Sequence, residues 1–199
     1  MSTAIKPISF EDYLAQDEVA DLPDARHEFV DGEWIELPPE SEQNDFLARF
    51  LLFALASSGA IPLRQLAIHT CELEVPVLQL GTPRNRFPDL VVLHEEHLSL
   101  TQRRLTITLA MRPPLLVAEV VSPGDVNRER DYQAKRAQYE RRGIPEYWLI
   151  DPEAQLITVL QLEGKQYALI GEFRGRDRLR SALFPAISLT AEQILRGQV

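Results

Sequence analysis

The feature that most constrains this chain is a glutamate set inside an otherwise apolar run, Leu115-Leu116-Val117-Ala118-Glu119-Val120-Val121. Short runs of Val and Leu bounded by Pro and charged residues read as strands buried on both faces. An ionised carboxylate in such a strand is costly unless it is paired or binds a metal. Glu119 therefore requires a cation. A second apolar run, residues 90–93, is headed by Asp89, the nearest acidic candidate to share it.

Beyond Ser122-Pro123-Gly124-Asp125 the composition turns helical, and the pattern predicts a charged helix from Asn127 to a stop at Gly143. Tyr132 and Tyr139 lie one heptad apart, with Lys135 between them on the stripe that should face inward. Asp131 lies one turn before Lys135, on the same side. By spacing alone the pair reads as a surface ion pair contributing about 0.3–0.5 kcal/mol, the commoner use of such a lysine.

The order of motifs carries more. Pro88-Asp89 precedes one strand, and Glu119 is followed by Ser122-Pro123. Asp131, Lys135 and Tyr139 recur at fourfold spacing, and Gly143-Ile144 leads into Glu146-Tyr147-Trp148 and Asp151. This order resembles the Uma-two family, a branch of the restriction-endonuclease-like PD-(D/E)XK superfamily. One position departs from the wider superfamily pattern: a lysine two residues after the glutamate is replaced by Val121. The resemblance implies that Lys135, on the following helix, serves in its stead.

The resemblance further implies an α/β (α+β) fold, a restriction-endonuclease-like mixed sheet flanked by helices, as one domain over residues 1–199. The activity it implies is metal-dependent hydrolysis of phosphodiester bonds in DNA. Asp89 and Glu119 would hold Mg²⁺ or Mn²⁺, hard ions suited to carboxylate oxygens, with the Val120 carbonyl a further ligand. Lys135 would be catalytic, with Asp131 and Tyr139 positioning it. Glu28 matches a glutamate near the catalytic centre of the family and would orient water or complete the metal shell, its bland alternative being an exposed hairpin carboxylate. Family members often carry a histidine near the start of the main helix; here Gln43-Asn44-Asp45 stands there, so an imidazole's role is absent or falls to Asn44. On this reading Asp89→Ala, Glu119→Ala and Lys135→Ala each abolish cleavage while leaving the thermal transition mostly intact. The rival reading is a catalytically inactive nuclease-fold module with an interaction or regulatory role.

At 199 residues and 45% hydrophobic, the chain can bury one good-sized core. A net charge of −9 argues against coating nucleic acid by bulk charge. Local basic groups remain, at Arg128, Arg130, Lys135, Arg136, Arg141 and Arg142, and at alternate positions Arg174, Arg176, Arg178 and Arg180. The latter would share one face of an extended segment, most simply a solvated strand edge. No apolar run is long enough for a membrane span and the first residues lack a signal-peptide core, so a cytoplasmic protein is expected. The single cysteine, Cys71, reads as a buried thiol. By analogy with two-fold nucleases a homodimer is expected.

In chain order the patterns predict a helix at 9–16 and a hairpin at 27–37 around Asp31-Gly32. The main core helix is expected at 41–58, apolar enough to pack on more than one side. One or two edge strands should follow within 61–80. There Glu72 and Glu74 share a face, most simply the wet one, with a metal role for one of them as the alternative. His94 and His97 are expected in a solvated loop. A strand at 146–150, a hairpin of 156–162 with 166–171, and residues 183–189 before a helix at 190–195 complete the chain.

Overall fold

A computed structural model of the chain describes residues 9–15 and 26–198. Helix α1, Phe10–Ala15, is capped by Ser9, whose hydroxyl accepts from the Asp12 backbone N–H at 3.1 Å. Gln16, expected as its last residue, lies outside the described residues. Strands β1 (His27–Val30) and β2 (Glu33–Glu36) form the expected hairpin. Its turn puts both Asp31 (φ 49°) and Gly32 (φ 93°) at positive φ, which is why an Asp-Gly pair stands there. Phe10, Tyr13, Phe29 and Trp34 gather into a small aromatic cluster between helix and hairpin.

Helix α2, Glu42–Ser57, starts where Ser41 accepts from the Asn44 N–H. Its buried face, including Leu47, Leu51, Ala54 and Leu55, lies on the main sheet. It packs on the sheet and on the C-terminal helix, residues 191–196, while two of its apolar residues stay out of the core: Phe53 is 57% exposed and Phe46 39%. An apolar stripe wider than one interface leaves its margins in solvent.

Residues 61–80 contribute β3 (Leu66–Ala67), at the edge of the main sheet, and β4 (Glu72–Glu74). Contrary to expectation β4 is not at an edge. It is central in a second sheet, antiparallel to β5 (Asn85–Arg86) and parallel to β7 (Thr106–Ile107). Glu72 and Glu74 are therefore buried, not wet, and neither belongs to a potential metal-ligand cluster among the described residues. Glu72 accepts hydrogen bonds from Tyr13, Asn85, Arg104 and Thr106, and Glu74 from the Leu109 N–H. His97 is also buried, in the short helix α3 (His97–Leu100), with Nε2 3.0 Å from the Arg112 carbonyl, so a solvated loop is wrong for it.

The main sheet has the order β11-β10-β9-β8-β6-β3, where β6 is Leu90–Val92, β8 Leu116–Val120, β9 Glu146–Asp151, β10 Leu156–Glu163 and β11 Gln166–Phe173. Among the described strands of this sheet only β8 and β9 pair in parallel. Parallel neighbours need a long crossover, and the charged helix supplies it. That helix is continuous from Asp125 to Arg142: α4 (Asp125–Glu129), a π-helical segment (Arg130–Lys135), then α5 (Arg136–Arg142). It ends at Gly143, in the left-handed region at φ 83°.

Strand alternation sorts the core into two layers. Leu90, Val92, Leu116, Ala118 and Val120 face α2 and the final helix α6 (Ala191–Arg196). Val91, Val117 and Val121 point the other way, toward Tyr139, Ile144 and β4. Glu119 belongs to this second face by register, beneath the crossover helix. Cys71 is the expected buried thiol. Residues 183–189 form no strand, and Thr190 caps α6 in a capping box with Gln193. The four arginines at 174–180 do not share an extended face, because β11 ends at Phe173 and the chain turns through Gly175. Among the described residues, no helix is long and apolar enough to cross a membrane.

Candidate active site

Antiparallel pairing sets Leu90 opposite Ala118 and Val91 opposite Val117. One more step in the same register puts Asp89 across from Glu119, and cross-strand neighbours have Cβ atoms about 4.5–5.5 Å apart. The two acids are thus adjacent although thirty residues separate them in the chain. Asp89 Oδ2 accepts from the Val120 N–H at 2.7 Å, which fixes the carboxylate and leaves Oδ1 on its other side.

The crossover helix brings the cation. Lys135 Nζ donates to Glu119 Oε2 at 2.8 Å and lies 3.0 Å from Asp131 Oδ1, and both acids are 1% exposed. The inward stripe inferred from Tyr132, Lys135 and Tyr139 is therefore real, and the surface-pair reading is not. The π-helical segment spans Arg130–Lys135, so it carries both Asp131 and Lys135; such segments recur at functional sites. Tyr139 lies one turn on and donates to Glu119 Oε1 at 2.5 Å. It thus positions the carboxylate, not the lysine as expected. Asp131 holds the lysine, and Arg130 holds Asp131 at 3.1 Å.

Burial pushes the Glu119 carboxyl up to about 7, against the pull of Lys135 and with the help of Asp89 and Asp131. For Lys135 burial disfavours the ammonium, but the carboxylates of Glu119, Asp131 and Asp89 outweigh it and hold its pKa above the ordinary value. The cluster thus keeps its lysine charged and leaves Glu119 poised to exchange a proton near neutrality.

Two other expected residues are placed differently. Glu28 is neither exposed nor bonded to the central acids, because both its oxygens are engaged by Arg86 Nη1, at 3.1 and 3.3 Å. Arg86 is itself buried and donates through Nε to Gln138. The Val120 carbonyl sits 3.4 Å from Asn44 Nδ2, whose stronger bond goes to Ser122 Oγ at 2.9 Å. Asn44 thus donates beside the centre, as the sequence reading allowed. Of the basic groups on the crossover helix, Arg128, Arg130, Lys135 and Arg142 all bond within the protein.

One group was missed altogether. His69, between β3 and β4, brings Nδ1 to 3.4 Å from Asp89 Oδ1 and Nε2 to 3.6 Å from Asp45 Oδ1. Burial opposes its protonation, but Asp89 and then Glu40 raise its pKa above the ordinary value. Glu40, His69 and Asp89 place one ligand atom each within 4.8 Å of one another. The only signal in the sequence was an isolated histidine in Ile68-His69-Thr70, with no spacing to link it to Glu40 or Asp89.

Comparisons with known proteins bear on the fold and the family. A search of curated proteins finds no match. Among solved structures, the chain is similar to the crystal structure of "a putative nuclease belonging to DUF820" from Anabaena variabilis ATCC 29413, with a TM-score of 0.63 at 15% identity. The alignment covers 96% of this chain and 99% of that one, which establishes a shared fold. The profile of the Uma2 family, described as "Putative restriction endonuclease", matches residues 10–192, a span holding every site residue named above. The chain therefore belongs to the Uma2 family.

Proposed function

We propose that this protein is a metal-dependent endonuclease that hydrolyses phosphodiester bonds in DNA. The observation that carries the reading is the meeting of Asp89, Glu119 and Lys135 from three separate segments, with the lysine bonded to Glu119. The donor set suits a hard divalent ion. Asp89 Oδ1 is turned away from the backbone bond, and a carboxylate oxygen that accepts from Lys135 keeps a second lone pair. Asp89, Glu119 and the Val120 carbonyl are the groups that would hold Mg²⁺ or Mn²⁺. Such an ion, when bound, lowers the pKa of a water and offsets charge on the phosphate.

The protein's own residues do the rest. The Val120 N–H fixes Asp89, and Tyr139 fixes Glu119, so neither acid must reorganise when a phosphate arrives. Lys135, oriented by Asp131, presents an ammonium where negative charge develops and can return a proton to the leaving oxygen. Glu28 acts only by leaving Arg86, to orient the attacking water at the rim.

One observation favours the rival, an inactive interaction module: both Glu119 oxygens already have partners inside the protein. A supercoiled-plasmid assay decides between them. Nicking that requires Mn²⁺ or Mg²⁺ and disappears in Asp89→Asn and Glu119→Gln supports the nuclease; a folded wild-type protein that leaves plasmid and single strands intact with either ion overturns it. Cleavage of both strands would suit a two-fold dimer, read by light scattering.

A further inference from the structure

We propose that Glu40, His69 and Asp89 form a binding site for a divalent transition-metal ion, on the His69 side of Asp89. The inference rests on the reading of Asp89 as an ion ligand and extends it to residues outside the Asp89–Glu119 pair. Three segments supply the donors: the approach to α2, the loop between β3 and β4, and the start of β6. One ligand atom from each lies within 4.8 Å of the other two, close enough for a single ion to bridge after small side-chain movements.

The state of each donor points the same way. Both ring nitrogens of His69 are buried and have no hydrogen-bond partner, an uncommon condition for an imidazole beside two carboxylates. Its approaches to Asp89 and Asp45, at 3.4 and 3.6 Å, are ion-pair distances without hydrogen-bond geometry. His69 also sits in the left-handed region, at φ 55°, an uncommon conformation that histidine, asparagine and aspartate adopt more readily than other non-glycine residues. Asp89 has one oxygen committed to the Val120 N–H, and Oδ1 is the oxygen nearest His69. Glu40 Oε1 is tied to Arg26 at 2.8 Å, which orients the side chain and leaves Oε2. Glu119, by contrast, has both oxygens engaged by Lys135 and Tyr139.

One imidazole and two carboxylates make a mixed nitrogen–oxygen set with open positions. Such a set selects Mn²⁺, Co²⁺ or Zn²⁺ over Mg²⁺, which prefers oxygen alone. The competing account is an imidazolium clamped between Asp45 and Asp89, with no ion.

The test uses the full chain and Mn²⁺ alone, by calorimetry and by electron spin-echo spectroscopy, which detects a nitrogen bonded to manganese. The variants are His69→Asn, chosen because asparagine tolerates the left-handed backbone, together with Glu40→Gln and Glu119→Gln. The expected result is a Mn²⁺-binding event with nitrogen coupling. It weakens about tenfold or more in His69→Asn and Glu40→Gln, the scale of losing a ligand or its support, and persists in Glu119→Gln. Wild-type Mn²⁺ binding that is unchanged in His69→Asn but lost in Glu119→Gln would overturn the site while leaving the Asp89–Glu119 reading intact. Absence of any Mn²⁺ binding would also overturn it. Binding that follows His69 in a protein that never cleaves plasmid would support the site and sink the nuclease reading instead.

Discussion

Replacing Lys135 by methionine is the most revealing change to the interior. The ammonium lies 2.8 Å from Glu119 Oε2 and 3.0 Å from Asp131 Oδ1, between two carboxylates that water does not reach. Without it Asp131 keeps Arg130, but Glu119 keeps only the Tyr139 hydroxyl. Removing one partner of a buried ion pair costs about 3–5 kcal/mol, because the other charge is stranded. Glu119 can escape part of that cost by taking up a proton, since its carboxyl already stands at about 7. The sign follows: a carboxyl whose folded pKa exceeds its unfolded value stabilises fully below the unfolded value and loses that stabilisation as pH rises through the folded one. Without the lysine the folded value rises further. The cost of Lys135→Met should therefore be small up to about pH 7, where Glu119 is protonated in both proteins, and grow above it by up to about 1.4 kcal/mol per pH unit, reaching about 1.4 kcal/mol by pH 8. Urea denaturation in the presence of a chelator, followed by fluorescence of the buried Trp148, measures it; the matching drop in Tm at pH 8 is about 3–6 °C. A variant within about 0.5 kcal/mol of wild type at pH 8, the scale of a plain surface substitution, refutes the reasoning. The buried geometry argues that removing this lysine lowers the thermal transition above neutral pH, where the sequence reading expected it mostly intact.

The other predictions probe neighbouring elements. Tyr139→Phe removes the second partner of Glu119 and should destabilise by about 1–3 kcal/mol in urea titration, with no loss if the hydroxyl is idle. Glu146 is held above the ordinary carboxyl range by burial, despite hydrogen bonds from Trp148, Ser181 and the Leu183 N–H. Its raised value stabilises below the ordinary pKa of 4.5 and fades as pH rises through the folded one, so Glu146→Gln should gain on wild type as pH climbs above 4.5; a flat difference in denaturation midpoint contradicts this. Gly143→Ala forces a side chain into the left-handed cap of the crossover helix and should cost about 1–2 kcal/mol by the same titration, whereas a neutral effect would mean the cap relaxes freely.

How much of this was legible in the sequence differs by element. The continuous apolar runs of β6 and β8 placed Glu119 inside the molecule, and burial of a charge then demanded a cation, which the family resemblance, not helical spacing alone, located at Lys135. That chain of inference needed the desolvation of a charge and the order of motifs, because spacing alone read Lys135 as half of a surface pair. The π-helical segment was not legible, because nothing in Arg130–Lys135 separates it from ordinary helix by composition. Glu72 and Glu74 were misplaced because their partners, Tyr13, Arg104, Thr106 and the Leu109 N–H, come from segments that periodicity cannot bring together. Phe53 was misplaced for the opposite reason: a broad stripe shows what could be buried, not how many neighbours arrive. His69 failed twice over, as a lone residue in a short loop and as one whose partners, Glu40 and Asp89, carry no fixed spacing to it.

The central claim is that a divalent ion settles at Asp89, and anomalous diffraction from crystals soaked in Mn²⁺ tests it most directly. The account predicts a manganese peak in contact with the Asp89 carboxylate that vanishes in Asp89→Asn. A saturating soak that leaves Asp89 bare, with manganese only on surface carboxylates, would contradict it.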